Sequence, residues 1–252
     1  MKSILIIEDE EVIAYDIERR LIQHGYNTYI SCDKDDILTY IADNQVDLVL
    51  ADIELPGAND GVEIVASINN TKSLPVVFLT AYDESEIMER AKHVSPYAYL
   101  LKPFDEKELL MIVSLAIQHN EYEKRLVFKE QWIRSVIDNI AEGVIVVDIS
   151  GNITFANVSA REDLSLGNES SWMNRPFAEQ LSFLDDAGRL FSSDIFQRYT
   201  NTKVTTYLPN ISIAKHDDVL ATVDCSLNPF FNHDGNVIGT VVSFKKRLCF
   251  VS

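Results

Sequence analysis

The sequence predicts an open parallel α/β sheet over residues 1–118, then a helical linker over 119–134 and an α+β domain with an antiparallel five-stranded sheet over 135–252. Three observations carry this. Short runs that are apolar at every position alternate with longer segments of helical spacing through the first half. Neither Gly nor Pro occurs from Phe104 to Glu142. From Gly143 onward, strand-like runs are separated by turn sequences such as Ser150-Gly151-Asn152 and His233-Asp234-Gly235-Asn236.

Ser3–Ile7 (SILII) reads as a buried strand. Glu11–His24 has helical spacing at Val12, Tyr15, Ile17 and Leu21, and Gly25 stops it. Tyr26–Ser31 is a strand, Asp35–Asn44 a helix and Asp47–Ala51 a third strand. Leu55-Pro56-Gly57 and Asp60-Gly61 frame a loop. Val62–Asn69 is a helix, Pro75–Leu79 a strand, Glu84–His93 a helix and Ala98–Leu101 a fifth strand. Strands without a polar face belong to a parallel sheet covered by helices on both sides.

Asp105 reads as an N-cap, and Glu108 completes a capping box. A helix from Asp105 to about Ile140 would be on the order of 50 Å long at ~1.5 Å per residue. A heptad seam runs through Ile112, Leu115, His119, Tyr122, Leu126, Lys129, Ile133, Val136 and Ile140. The alternative is two shorter helices with a polar joint at His119–Lys124. Beyond it, Val144–Asp148 and Ile153–Ala156 form a hairpin, small helices fall between Ser159 and Arg198, and Val204–Leu208, Val219–Leu227 and Val237–Phe244 are strands.

Charge and cysteine usage narrow the function. Residues 1–118 hold 22 Asp/Glu against 9 Lys/Arg, and the whole chain has a net charge of −17. Such a surface repels phosphate backbones, so nucleic-acid binding is not expected. Cys32, Cys225 and Cys249 are odd in number and widely spaced, which argues against a disulfide framework or zinc site and suits a reducing cytoplasm. No stretch approaches 18 consecutive apolar residues, so no membrane insertion is expected.

In a parallel α/β sheet, ligands sit beyond the carboxyl ends of the strands. Strand one ends in Glu8-Asp9, strand three in Asp52, strand four in Thr80-Ala81 and strand five in Lys102-Pro103. Three carboxylates, a hydroxyl and an ammonium would converge on one rim. Clustered carboxylates call for a cation, and hard oxygen donors suit Mg²⁺. The cation would also shield Asp52 for attack on an anionic phosphoryl group, with Lys102 and Thr80 holding phosphoryl oxygens.

The stretches ILIIEDE, DLVLADIELPG, VVFLTAYD and YAYLLKPF resemble the receiver domain of two-component response regulators. The resemblance implies a flavodoxin-like (βα)₅ fold, Asp52 as phosphoacceptor, and Glu8, Asp9, Asp52 and the Glu54 backbone carbonyl as metal ligands. It implies a cis peptide at Lys102–Pro103, and Thr80 with Tyr99 as a switch pair. It also implies a histidine kinase or histidine phosphotransfer protein as partner. Glu54 and Tyr82 occupy positions where the family varies.

DNIAEGVIVVDISGNITFANVSA and DCSLNPFFNHDGNVIGTVVSFK resemble a PAS domain over residues 132–247, with Asp148, Gly151 and Asn157 at matching positions. This implies a sensory or dimerising module. No flavin-thiol or haem signature is present: Cys225 lies in a strand, Ser192–Thr202 lacks His, His216 and His233 read as loop residues, and Trp172 reads as packing. The reading is a homodimeric relay module without enzymatic action on other substrates. The alternatives are the N-terminal piece of a longer sensor kinase, suggested by the closing KKRLCFVS, and an aspartyl-phosphate hydrolase, whose DxD pattern is replaced here by Asp52-Ile53-Glu54.

Overall fold

The computed structural model describes residues 1–55, 60–81, 93–184, 190–191, 203–215 and 218–246. They fall into two compact units, Met1–Phe128 and Lys129–Ser252.

The first unit runs β1 (Ser3–Ile7), α1 (Glu11–Gln23), β2 (Asn27–Ile30), α2 (Lys34–Asp43), β3 (Leu48–Asp52), α3 (Gly61–Asn69), β4 (Val76–Thr80) and β5 (Ala98–Leu101), then enters α4 (Glu106–Asp138). Its sheet has the order β2-β1-β3-β4-β5, parallel throughout, which is the flavodoxin-like arrangement. The expected helix Glu84–His93 lies, except for His93, outside the described residues, as do Pro56, Gly57 and Tyr82. Both sheet faces are covered. Leu5, Ile7, Val49 and Phe78 pack with Ile37, Ile41, Ile64 and Ile68. Ile4, Ile6, Leu50 and Leu79 pack with Ile17, Leu21, Leu109 and Val113. Each such side chain contributes roughly 1.5–3 kcal/mol on burial.

Polar residues set where the helices start. The side chain of Asp33 accepts from Asp36 N at 2.9 Å, and that of Asp60 from Val62 N at 2.8 Å. At α4 the capping box closes in both directions: Asp105 Oδ1 accepts from Glu108 N at 2.8 Å, and Glu108 Oε2 accepts from Asp105 N at 3.0 Å. The helix then runs unbroken through His119–Lys124. Leu115, Tyr122, Leu126, Ile133, Val136 and Ile140, all on the heptad seam, are exposed.

The second unit takes in the last turns of α4, then β6 (Gly143–Asp148), β7 (Ile153–Ala156), three short helices α5 (Val158–Asp163), α6 (Glu169–Trp172) and α7 (Phe177–Gln180), and β8 (Ser182–Leu184), β9 (Leu190–Phe191), β10 (Thr206–Lys215), β11 (Asp218–Phe231) and β12 (Val237–Lys246). The sheet is antiparallel, in the order β7-β6-β12-β11-β10-β8-β9. Strand number and strand lengths differ from the sequence reading. Among the described residues the sheet has seven strands where five were expected, because the short β8 and β9 extend one edge. The third strand runs on to Lys215 instead of ending at Leu208. Pro209-Asn210 looks like a turn, but forms a register shift inside the strand, with Asn210 at φ 56° and its N–H donating to Asp224 Oδ1 at 3.2 Å. Ser192–Thr202, His216 and Cys249 lie outside the described residues.

The inner face of this sheet packs on the short helices through Ile145, Val147, Val223, Leu227, Val242 and Phe244 with Ala160, Leu164, Trp172 and Phe177. Trp172 is a core residue, His233 sits exposed on its turn, and Cys225 is buried, which pushes its thiol pKa up to about 12. Thr240, in the same core, has its Oγ1 buried with no hydrogen-bond partner. Thr240→Val keeps the shape and removes the unpaired hydroxyl, so it is expected to stabilise the second unit by about 1 kcal/mol. Urea unfolding of this unit checks the sign; a loss of similar size would mean that the hydroxyl is satisfied.

Candidate functional site

The topology brings the four strand ends together. The chain reverses its winding between β1 and β3, and this leaves a crevice at their carboxyl ends. Glu8 and Asp9 follow β1, and Asp52 is the last residue of β3. Thr80 ends β4, and its carbonyl accepts from Lys102 N at 2.7 Å, just after β5. The Lys102–Pro103 peptide is cis.

Lys102 reaches across the crevice. Its Nζ lies 2.6 Å from Glu8 Oε2 and 2.7 Å from Asp52 Oδ2. The other carboxylate oxygen of Asp52 accepts from Glu54 N at 3.1 Å. Glu8, Asp52 and Thr80 are buried, with exposures of 3, 7 and 9%. Burial holds the Glu8 carboxyl above its ordinary pKa, with the Lys102 hydrogen bond pulling down and the Asp52 charge pushing further up. Burial alone would lower the Lys102 pKa, but hydrogen bonds to Asp52 and Glu8 outweigh it and hold the ammonium above its usual range. The cation is therefore firmly charged and shared between two carboxylates.

Asp9 joins this pair: carboxylate oxygens of Glu8, Asp9 and Asp52 lie within 4.8 Å of one another. Three carboxylates against one ammonium leave two negative charges in a largely buried cluster. Two like charges ~5 Å apart repel by about 3 kcal/mol at an effective dielectric of ~20. The set consists of hard oxygen donors with a charge deficit of two, which fits a divalent cation such as Mg²⁺.

Tyr99 sits on β5 opposite Phe78, with ring centroids 6.0 Å apart and its hydroxyl buried. Thr80 lies two residues beyond Phe78, so Thr80 and Tyr99 occupy the same sheet face one repeat apart. One residue of the site was not singled out by its chemistry. A Cβ on Gly61 would lie 1.8 Å from the Asp52 carbonyl oxygen, so the first residue of α3 sits directly against the backbone of Asp52. The Asp60-Gly61 pair at the start of α3 is the sequence signal for that approach.

A flavodoxin-like sheet with an acidic crevice and a lysine bound across it defines the class of receiver modules. Residues 4–114 match the response regulator receiver domain family and residues 132–247 the PAS fold, so the chain joins a receiver domain to a PAS domain. Transcriptional regulatory protein PdtaR of Mycobacterium tuberculosis is 31% identical over 117 residues, covering 46% of this chain and 57% of the relative; the chain thus spans little more than half of that protein's length. Probable transcriptional regulator ycf29 of Pyropia yezoensis is 29% identical over 179 residues, covering 63% of this chain and 78% of the relative. Among solved structures, the receiver domain of a modulated diguanylate cyclase from Desulfovibrio desulfuricans G20 is 31% identical with a TM-score of 0.46, covering 49% of this chain and 98% of that one. Among the described residues, no helix is long and apolar enough to cross a membrane.

Proposed function

We propose that Asp52 accepts a phosphoryl group from a phosphohistidine of a histidine kinase or histidine phosphotransfer protein, and that the receiver relays its phosphorylation state to the PAS module. The observation that supports this most is the bridge from Lys102 Nζ to both Glu8 and Asp52 inside the carboxylate cluster. A carboxylate oxygen of Asp52 attacks phosphorus as the donor's P–N bond breaks. The imidazole nitrogen leaves with the bonding pair and takes up a proton. Lys102 transfers its ammonium from Asp52 Oδ2 to a phosphoryl oxygen, and the Thr80 hydroxyl donates to another. Tyr99, already packed on Phe78, fills the space behind Thr80. Glu8, Asp9, Asp52 and the Glu54 carbonyl would hold Mg²⁺. When bound, that ion supplies charge neutralisation for the anionic reaction.

The chemistry of the chain is confined in this reading to its own phosphorylation and dephosphorylation, in the cytoplasm and without binding DNA. Phosphoramidate, a small P–N phosphodonor, tests it. With Mg²⁺, the wild-type chain is expected to gain one phosphoryl mass and Asp52→Asn none. Equal gains would refute the assignment of the acceptor.

The seam on α4 supports a homodimer. Leu126 and Ile133 are 43 and 41% exposed, at positions where a second helix would cover them. Leu126→Asp with Ile133→Asp is expected to shift sedimentation from dimer to monomer at tens of micromolar. An unchanged dimer would place the contact elsewhere.

A further inference from the structure

Asn157 is fully buried and lies between β7 and α5. Its Oδ1 accepts from Ala160 N at 2.9 Å, which is the ordinary work of an N-cap, and also from Val144 N on β6 at 2.9 Å. The other end of the amide turns to the chain that leaves α4. Nδ2 donates to the carbonyls of Ile137 at 3.1 Å and Glu142 at 2.9 Å, with Ile140 O at 3.5 Å. Carbonyls at a helix C-terminus have no partner within the helix; here that of Ile137 accepts from Ile140 N at 3.2 Å and from this side chain beyond the first hairpin. The next two residues grip the same segment. Val158 N donates to Asp138 Oδ1 at 3.0 Å, and Ser159 Oγ donates to Ile140 O at 2.7 Å.

We propose that Asn157 is a latch that makes the exit of α4 and the β6–α5 corner one cooperative element, so that a change in α4 enters the PAS domain here. A cap alone would need only the oxygen of the amide. All of its hydrogen-bonding capacity is used instead, half on the corner and half on the helix exit. Burial of the whole group means that water cannot replace a lost donor, so the two halves open together or not at all.

The oxygen and nitrogen ends can be separated by substitution. Asp and Ser cap helices as well as Asn does, but neither offers the amide donor. Hydrogen exchange on the full chain reads the result. Asn157→Ser and Asn157→Asp are expected to speed exchange across residues 130–142 about ten-fold, the effect of losing roughly one buried hydrogen bond, while β11 and β12 keep their protection. Unchanged exchange at 130–142 in either folded variant overturns the latch and leaves Asn157 as a cap for α5. If both variants lose the PAS sheet, Ser159→Ala decides. It removes only the bond to Ile140, and faster exchange confined to 130–142 upholds the latch, whereas unchanged exchange overturns it. A last arm rests on the receiver reading. Acetyl phosphate with Mg²⁺ should alter exchange at residues 143–160 in the wild type and not in Asn157→Ser. A gain of phosphoryl mass without that change overturns the relay through Asn157. Absence of the mass gain counts against the receiver reading alone, and the exchange at 130–142 still judges the latch.

Discussion

Gly61→Ala is expected to unfold the receiver unit or cost it at least about 3 kcal/mol, although Ala is the better helix former by about 1 kcal/mol. Two effects of opposite sign compete at the first residue of α3. Propensity favours Ala. Against it, the new Cβ would lie 1.8 Å from the Asp52 carbonyl oxygen, 3.0 Å from its carbon and 3.3 Å from the Ile53 oxygen. All three atoms are backbone, and Asp52 and Ile53 are held at the buried end of the central strand, where Ile53 N donates to Leu79 O at 3.2 Å. No side chain can rotate away, so the clash decides. Urea unfolding followed by the signal of the first unit measures it. Stability equal to or above wild type would mean that the loop retreats freely, and that the position of Asp52 is not fixed from that side.

A second large effect concerns charge. Asp9→Asn is expected to stabilise the metal-free chain while removing its response to Mg²⁺. Lys102 bridges Glu8 and Asp52, which leaves Asp9 as the member of the triad for which no cation partner is seen among the described residues. Neutralising it removes repulsion, for a gain on the order of 1 kcal/mol after solvent screening. The wild-type chain should gain about 2.7 kcal/mol when Mg²⁺ reaches 100 times its dissociation constant. Thermal unfolding in chelator and in saturating Mg²⁺ separates the two terms. Equal Mg²⁺ shifts in wild type and Asp9→Asn would show that the ion binds elsewhere, and a lower metal-free stability in Asp9→Asn would show that Asp9 has a cationic partner.

Much of this was legible in the sequence because it depends on local pattern. Runs such as SILII and DLVLA have no polar face, so they place the sheet interior and, with it, the strand ends that carry Glu8, Asp52, Thr80 and Lys102. The α4 capping box is written in Asp105 and Glu108. What stayed hidden depends on approach between distant backbones. Gly61 reads as a turn glycine until the carbonyl of Asp52 is seen against it. Pro209-Asn210 reads as a strand end, because a side chain on the neighbouring strand, Asp224, is needed to turn the same residues into an irregularity within β10. Asn157 is marked in the sequence only by the PAS resemblance, since the carbonyls its amide binds lie up to 20 residues away in the chain.

One carboxylate in the cluster, that of Asp52, is expected to carry the phosphoryl group. Peptide mapping by mass spectrometry after incubation with acetyl phosphate and Mg²⁺ addresses it directly. The phosphoryl group is expected on the peptide containing Asp52, with none on that containing Glu8 and Asp9. Label on Glu8 or Asp9, or an unmodified Asp52 peptide in a chain that has gained phosphoryl mass, would contradict the account.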